Sequence, residues 1–314
     1  MVKYSIFTPI YNESGNIANL YKQVKEVMDK LGEKWEFIMI NDGSTDTSLK
    51  EMLSIKSKNL KIINLKKNYG QSIAMDAGFR ESKGEIIISL DADLQNDPRD
   101  IPRLLKKLEI ENLDIVAGWR YKRKDPIWML IITKTAKFLR SFFANDGVHD
   151  SGCTLRVYRS YYVKDLELWG EMHRYIIALL RWQGAKIGEL KVNHRPRIKG
   201  VSKYNWKKSF KGLVDLFYIW FWKKFSARPL HLFGVSGMLI SFLGILTTLW
   251  TIKLKIINGV SLSDSVWFMM SGFLILIGIQ FFIFGIILDL IIRNYYNTAR
   301  EKRYDIKEII EAKL

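Results

Sequence analysis

The chain has 314 residues, with 49 Lys and Arg against 32 Asp and Glu, a formal net charge of +17 and a pI near 9.7. That balance implies a partner with phosphates, whether nucleic acid, a nucleotide or an anionic membrane, and its concentration just ahead of a hydrophobic region favours a membrane surface over nucleic acid. One cysteine, Cys153, excludes an intrachain disulfide, fits a reducing compartment and argues against a zinc site.

Met1 to Tyr4 runs straight into a strand, so no signal peptide is expected. Residues 4–8 (YSIFT) predict a first apolar strand, and Pro9 to Gly15 a turn. Ile17, Leu20, Val24, Val27 and Leu31 then recur at helical spacing. Residues 35–40 (WEFIMI) predict a second strand ending in Asn41-Asp42. A helix from about Thr45, a strand over 60–65 and a helix over 71–82 follow. The run Glu85 to Leu90 suits a central strand covered on both faces.

That strand ends on Asp91, Asp93 and Gln95. If the extended geometry continues, residues two apart point the same way and the two carboxylates converge. Paired carboxylates there suit a hard divalent cation that bridges to a phosphate; for the doublet alone, a solvated acidic turn is the alternative. Asp97-Pro98 predicts a helix cap with proline in the first turn. The alternation of strand and helix predicts an α/β fold, a mostly parallel sheet with helices on both faces. Ligands bind such sheets beyond the carboxyl ends of the strands. Tyr11-Asn12-Glu13, Asn41-Asp42 and Asp91-Ala92-Asp93 all fall there.

A fifth strand is expected over 114–118. From Trp119 to Arg140 seven Lys or Arg face one Asp, among apolar residues, which fits a membrane interface or a solvated helix face. Residues 150–159 (DSGCTLRVYR) predict a turn into an edge strand, 172–182 a helix, and 185–192 a last strand. HRPRIKGVSKYNW then predicts a basic loop. From 205 to 225, Trp206, Phe210, Leu213, Phe217 and Trp220 oppose Lys207, Lys208, Lys211 and Asp215, as in an interfacial helix; a core helix is the alternative.

No Asp, Glu, Lys or Arg occurs from Pro229 to Ile252 or from Ser265 to Leu288, each stretch long enough to span a hydrocarbon layer of about 30 Å. Lys223, Lys224 and Arg228 precede the pair, and Arg293, Arg300, Lys302 and Arg303 follow it. The positive-inside bias puts both termini and the catalytic domain in the cytoplasm, in a multi-pass protein of the cell (inner) membrane.

PIYNESGN, NDGSTD, KNYGQSIAMDAGF, DADLQNDP, DSGCTLRVYR and HRPRIKGVSKY, in this order and ahead of two spans, resemble the polyprenyl-phosphate glycosyltransferases. These are inverting family-two enzymes similar to dolichyl-phosphate mannose synthase and the undecaprenyl-phosphate glucosyltransferases. The resemblance covers nearly the whole chain. It implies a GT-A-type glycosyltransferase domain over 1–203, a juxtamembrane helix over 204–228, a two-helix hairpin over 229–292 and a tail over 293–314.

The resemblance also implies roles. Pro9, Tyr11 and Glu13 match the opening that holds base and ribose, and Asp42 the second acid of the family's DDGS; Asn41 replaces the first. Asp91 and Asp93 match the pair that binds Mg²⁺ or Mn²⁺, with Gln95 close to the metal and the sugar phosphate. Arg197 and Lys203 match a basic loop closing over the diphosphate. Arg120, the Lys122 to Lys124 run and Lys134 lie where relatives recruit the lipid phosphate, and Asp150 matches an acid beside it. Lys134 stands where relatives often carry arginine, keeping the charge but losing the fork. The catalytic set is then Asp91, Asp93, Asp150 and Arg197. The expected partners are a nucleotide diphosphate sugar, a polyprenyl phosphate and the membrane, with homo-oligomers through the spans as in relatives. A UDP-sugar is the expected donor, with GDP-mannose as the alternative.

Two rivals remain open. A processive polysaccharide synthase usually carries QxxRW, and here the nearest stretch, Ala178 to Trp182, has alanine in place of glutamine. A non-catalytic nucleotide-sugar or lipid-binding membrane protein is the other.

Overall fold

A computed structural model of the chain describes residues 2–121, 147–168, 170–195, 220–221, 229–259, 261–262 and 265–298. The chain divides into two compact units, Met1–Phe217 and Tyr218–Leu314.

The first unit is built on one seven-stranded sheet. In chain order its elements are β1 (Tyr4–Ile10), α1 (Ile17–Asp29), β2 (Trp35–Asn41), α2 (Ser48–Ser54), β3 (Leu60–Asn64), α3 (Gln71–Glu81) and β4 (Ile86–Ser89). Then come a 3₁₀ turn (Pro98–Asp100), α4 (Ile101–Ile110), β5 (Ile115–Trp119), β6 (Arg156–Arg159) and β7 (Ile187–Lys191), with short helices at Ser160–Val163 and Ile176–Trp182 before the last strand. The strand order is β3-β2-β1-β4-β6-β5-β7, so β4 is central, as its unbroken isoleucines predict.

Each face of the sheet has its own core. On one, Ile6, Phe37, Met39, Ile88 and Val157 pack with Leu20 and Val24 of α1 and Leu104 and Leu108 of α4. On the other, Phe7, Ile38, Ile87 and Tyr158 pack with Met75 and Phe79 of α3 and with Ile176, Ile177 and Leu180. The alternation along β1 and β2, with successive side chains on opposite faces, fixes which helices lie on which side.

The sheet is mostly parallel, as expected; among its strands β6 runs antiparallel to both β4 and β5. Three expectations are corrected. Strand β6 is interior rather than an edge: Arg156, Val157 and Tyr158 are all buried, and Arg156 places its guanidinium on carbonyls of its own loop. Pro9 lies within β1, not in a turn. Leu90 N donates to Phe7 O, whereas Asp42 N on the other side donates to Ile10 O. Pro9, two residues past Phe7, therefore faces β4 without an N–H, and the β1–β4 ladder stops at Phe7–Ser89. Finally, α2 starts at Ser48, not near Thr45. Asn12 and Asp46 capture the N–H groups of Thr45 and Ser48 and hold 44–47 as a turn against 12–14.

In the second unit, helices Pro229–Asn258 and Val266–Thr298 form a hairpin. Over Pro229–Asn258 and Val266–Ile292 they are long and apolar enough to cross a membrane, and they leave Leu239, Phe242, Leu246, Phe273 and Leu276 exposed. A soluble core helix would bury such residues; these fit a lipid surround. Gly237 and Gly278 permit the approach, since a Cβ on Gly237 would stand 2.5 Å from the Gly278 carbonyl. The interfacial helix expected over 204–228, the segment 122–146 and the tail beyond 298 lie outside the described residues, apart from Trp220 and Phe221.

Candidate active site

The carboxyl end of β4 opens the site. The strand stops at Ser89, and the chain turns through Ala92-Asp93 to Leu94, whose φ of 62° is left-handed. Asp91 and Asp93 are thus brought together by a turn and not by continued β alternation. The turn is tied down by Gln95 N donating to Asp93 Oδ1 at 3.1 Å and by the Asp97 cap on Arg99 N.

Asp91 is partly exposed and Asp93 is buried. Burial, followed by the Asp93 charge, pushes the Asp91 carboxyl up to about 6. The Thr154 hydroxyl and the guanidinium groups of Arg120 and Arg156 oppose that shift. Gln71 Nε2 also reaches Asp91 Oδ1 at 3.3 Å, aimed there by Gly70, whose φ of 94° turns the chain into α3. Gln71, Thr154 and Arg156 carry no acid and no metal-ligand spacing, so only the motifs KNYGQ and DSGCTLR mark them in the sequence.

Two like charges in a partly buried site favour a cation between them. Both donors are hard oxygens, which suits Mg²⁺ or Mn²⁺. Two carboxylates fill only part of the roughly six or more oxygen positions such an ion takes, and the rest suit substrate oxygens and water. The donor set fits a divalent ion shared with a diphosphate.

Facing this pair is an ion pair. Arg120, just past β5, donates Nε to Asp150 Oδ2 at 2.7 Å and Nη2 to Oδ1 at 2.9 Å, a two-bond fork. Arg120 N and Gly152 N also donate to that carboxylate. Burial raises the Asp150 carboxyl, but Arg120 outweighs it and holds the group below the usual carboxylate range. Arg120 in turn sits in the field of Asp91. The structure therefore brings Asp91, Asp93, Arg120 and Asp150 into one site.

A second cluster lies at the ends of β1 and β2. Asp42 is buried, and its oxygens accept from Tyr69 N at 2.7 Å and Gly70 N at 3.0 Å. Burial raises its pKa against those two bonds. Glu13 Oε2 accepts from Asn16 Nδ2, and Glu13 N donates to Ser48 Oγ. Tyr11 and Pro9 are partly exposed beside them. Asn41 bonds Asn64 of β3 and the Ser44 N–H, so the missing acid has become a strut. Gln95 contributes its carbonyl to Arg195 N. Lys134, Arg197 and Lys203 lie outside the described residues.

The family model described as glycosyl transferase family 2 matches residues 5–167, which contain both clusters. The chain belongs to glycosyl transferase family 2. As a family-2 glycosyltransferase it is similar to the dodecaprenyl-phosphate galacturonate synthase of Rhizobium johnstonii, with 34% identity over 99% of this chain and 94% of that protein. It is also similar to the undecaprenyl-phosphate 4-deoxy-4-formamido-L-arabinose transferase of Pectobacterium atrosepticum, at 30% identity over 98% of this chain and 94% of the other. In fold it resembles glucosyl-3-phosphoglycerate synthase from Mycobacterium tuberculosis, solved with Mn²⁺, UDP and glucosyl-3-phosphoglycerate. The TM-score is 0.55 at 13% identity, over 70% of this chain and 80% of that one. That likeness establishes the GT-A-like fold of this glycosyltransferase.

Proposed function

We propose that this family-2 enzyme transfers a sugar from a nucleoside diphosphate to a polyprenyl phosphate, with inversion at the anomeric carbon. The observation that carries the reading is the meeting of opposite charges on one rim: the Asp91–Asp93 pair on the donor side and the Arg120–Asp150 pair on the acceptor side. Both relatives named above act on a polyprenyl phosphate, and this chain carries two helices of membrane-crossing length.

A phosphate monoester with a second pKa of about 6 is largely dianionic at neutral pH. As nucleophile it needs positioning more than it needs a base. Arg120 offers it a cation, and Asp150 holds that guanidinium in place rather than taking a proton, because a carboxyl kept below its usual range is a poor base. Departure of the nucleoside diphosphate is the demanding step. Asp91 and Asp93, with Gln95 near, would hold a divalent ion, which would supply charge neutralisation there. Pro9, Tyr11, Glu13 and Asp42 receive the nucleoside, and Arg197 and Lys203 close over the diphosphate. Lys134 adds acceptor-side charge.

The donor is a UDP-sugar in this reading, and the basic flanks of the spans support a topology with both termini in the cytoplasm. The test incubates full-length protein with Mg²⁺ or Mn²⁺, a short polyprenyl phosphate and UDP- or GDP-sugars, uronates and amino-sugars included. A lipid product heavier by one sugar supports the proposal. Nucleotide release without glycosylated lipid, or a long polymer, overturns it.

A further inference from the structure

Arg120 lies just past β5, and Asp150 lies in the turn that leads toward β6. Neither belongs to a strand, so the sheet ladder alone does not set the geometry of their fork. A second layer of contacts joins the residues beside them. Trp119 and His149, each one position earlier, stack with ring centroids 4.3 Å apart and planes 13° from parallel. Glu189 of β7 closes the layer. Its Oε1 accepts from His149 N at 2.7 Å and from Asp150 N at 3.2 Å, and its Oε2 meets His149 Nδ1 at 2.7 Å. A carboxylate only accepts, so Nδ1 carries the hydrogen of that bond. Lys191, two residues on and on the same face of β7, puts Nζ 5.3 Å from the Trp119 ring centroid and 4.1 Å from that of Tyr121.

The backbone of the turn shows what Glu189 does there. N–H groups outside a ladder must find other acceptors. Gly152 N donates to the Asp150 carboxylate, and Cys153 N to Asp150 O at 3.4 Å. The N–H groups of His149 and Asp150 go to Glu189. The carbonyls of Ser151 and Cys153 accept from the buried guanidinium of Arg156. A carboxylate on the entering N–H groups and a guanidinium on the following carbonyls hold the turn from two sides. Glu189 ties its opening to the strand paired with the one that ends beside Arg120. A carboxylate with only 13% of its side chain exposed needs donors, and the turn supplies all three of these.

We propose that Glu189 is a positioning residue for the acceptor: it fixes the turn so that Asp150 presents the Arg120 guanidinium to the lipid phosphate. The inference rests on the reading of Arg120 as the cation that meets that phosphate. Glu189 acts through Asp150 and touches no substrate.

Calorimetric titration of the full-length protein in detergent with farnesyl phosphate, and separately with Mn²⁺, tests this. Glu189→Leu removes all three acceptor bonds. It should weaken farnesyl phosphate binding by about 10-fold or more, within the roughly 100-fold that a 1 Å misplacement can cost, and leave Mn²⁺ binding unchanged. Glu189→Gln keeps one side-chain oxygen for the two backbone N–H groups and should stay close to native. Glu189→Asp is one methylene shorter, should shift binding in the same direction as leucine, and replaces it if the leucine variant does not fold. Added to Arg120→Met, Glu189→Leu should weaken farnesyl phosphate binding no further, because its effect runs through the guanidinium. Native-like binding by Glu189→Leu, or by Glu189→Asp in its place, overturns the inference. So does a loss in Glu189→Gln equal to that in Glu189→Leu, a parallel loss of Mn²⁺, or an additive double variant. Arg120→Met alone separates the two claims. If the native protein does not bind farnesyl phosphate, or Arg120→Met binds it like the native protein, the acceptor reading fails. If Arg120→Met loses it while Glu189→Leu keeps it, only the positioning role fails.

Discussion

The Arg120–Asp150 fork should be among the most strongly coupled pairs in the catalytic unit. Its two bonds are 2.7 and 2.9 Å long, and both side chains keep 15% of their surface exposed. Exposed ion pairs contribute about 0.2–1 kcal/mol, and breaking a fully buried one costs about 3–5 kcal/mol. With this partial exposure and two further N–H donors on Asp150, we expect Asp150→Asn to cost about 2–3 kcal/mol. The asparagine keeps one acceptor oxygen but turns an N–H₂ toward the guanidinium. Arg120→Met should cost less than that, since Gly152 N and Arg120 N still serve the carboxylate. The double variant should then recover about 1.5–2 kcal/mol relative to the sum of the singles. Denaturant unfolding of full-length protein in detergent, followed by tryptophan fluorescence, reads all four corners. The lowered carboxyl of Asp150 gives stability that is present above the unfolded value, about 4, and is lost as pH falls through the folded one. The coupling should therefore persist at pH 5. A coupling below about 0.5 kcal/mol at pH 7 would refute the assignment of this pair as a structural unit.

Asp91→Asn and Asp93→Asn should each lower kcat by about 100- to 1,000-fold while the protein stays folded, as read by product mass with a thermal melt as the check on folding. Asp91 is raised to about 6, so in the metal-free protein its ionisation opposes folding. Chelated protein should melt higher at pH 5.5 than at pH 7.5 as far as this group is concerned, and Mn²⁺ should stabilise more at pH 7.5, when the carboxylate is free to bind. An Asp91→Asn variant whose pH dependence matches the native protein would contradict this. Asp42→Ala frees Tyr69 N and Gly70 N and should raise the donor KM more than it lowers kcat, which steady-state kinetics in the nucleotide sugar would show. Gly278→Leu would drive a side chain into the Gly237 carbonyl and Ser241 and should destabilise the hairpin by about 1–3 kcal/mol, measured by loss of helicity in a detergent titration.

The sequence by itself determined the elements and their class. The isoleucine run of β4 demanded a strand covered on both faces, the heptad-like spacing of α1 demanded one buried stripe, and two uncharged stretches demanded helices suited to lipid. These are local consequences of period and transfer energy, so no distant partner is needed to read them. The candidate site residues stood out because three polar clusters fall together at the ends of strands. What only the tertiary structure decided is how distant segments meet. The antiparallel insertion of β6 between β4 and β5 is non-local, and it delivers Asp150 to Arg120. The stretch 150–159 reads as a turn into an edge strand, and the burial of Arg156 against the carbonyls of its own loop shows only once the chain folds. The pairing of Asp91 with Asp93 depended on a turn with a left-handed leucine, a conformation no propensity would assign to Leu94.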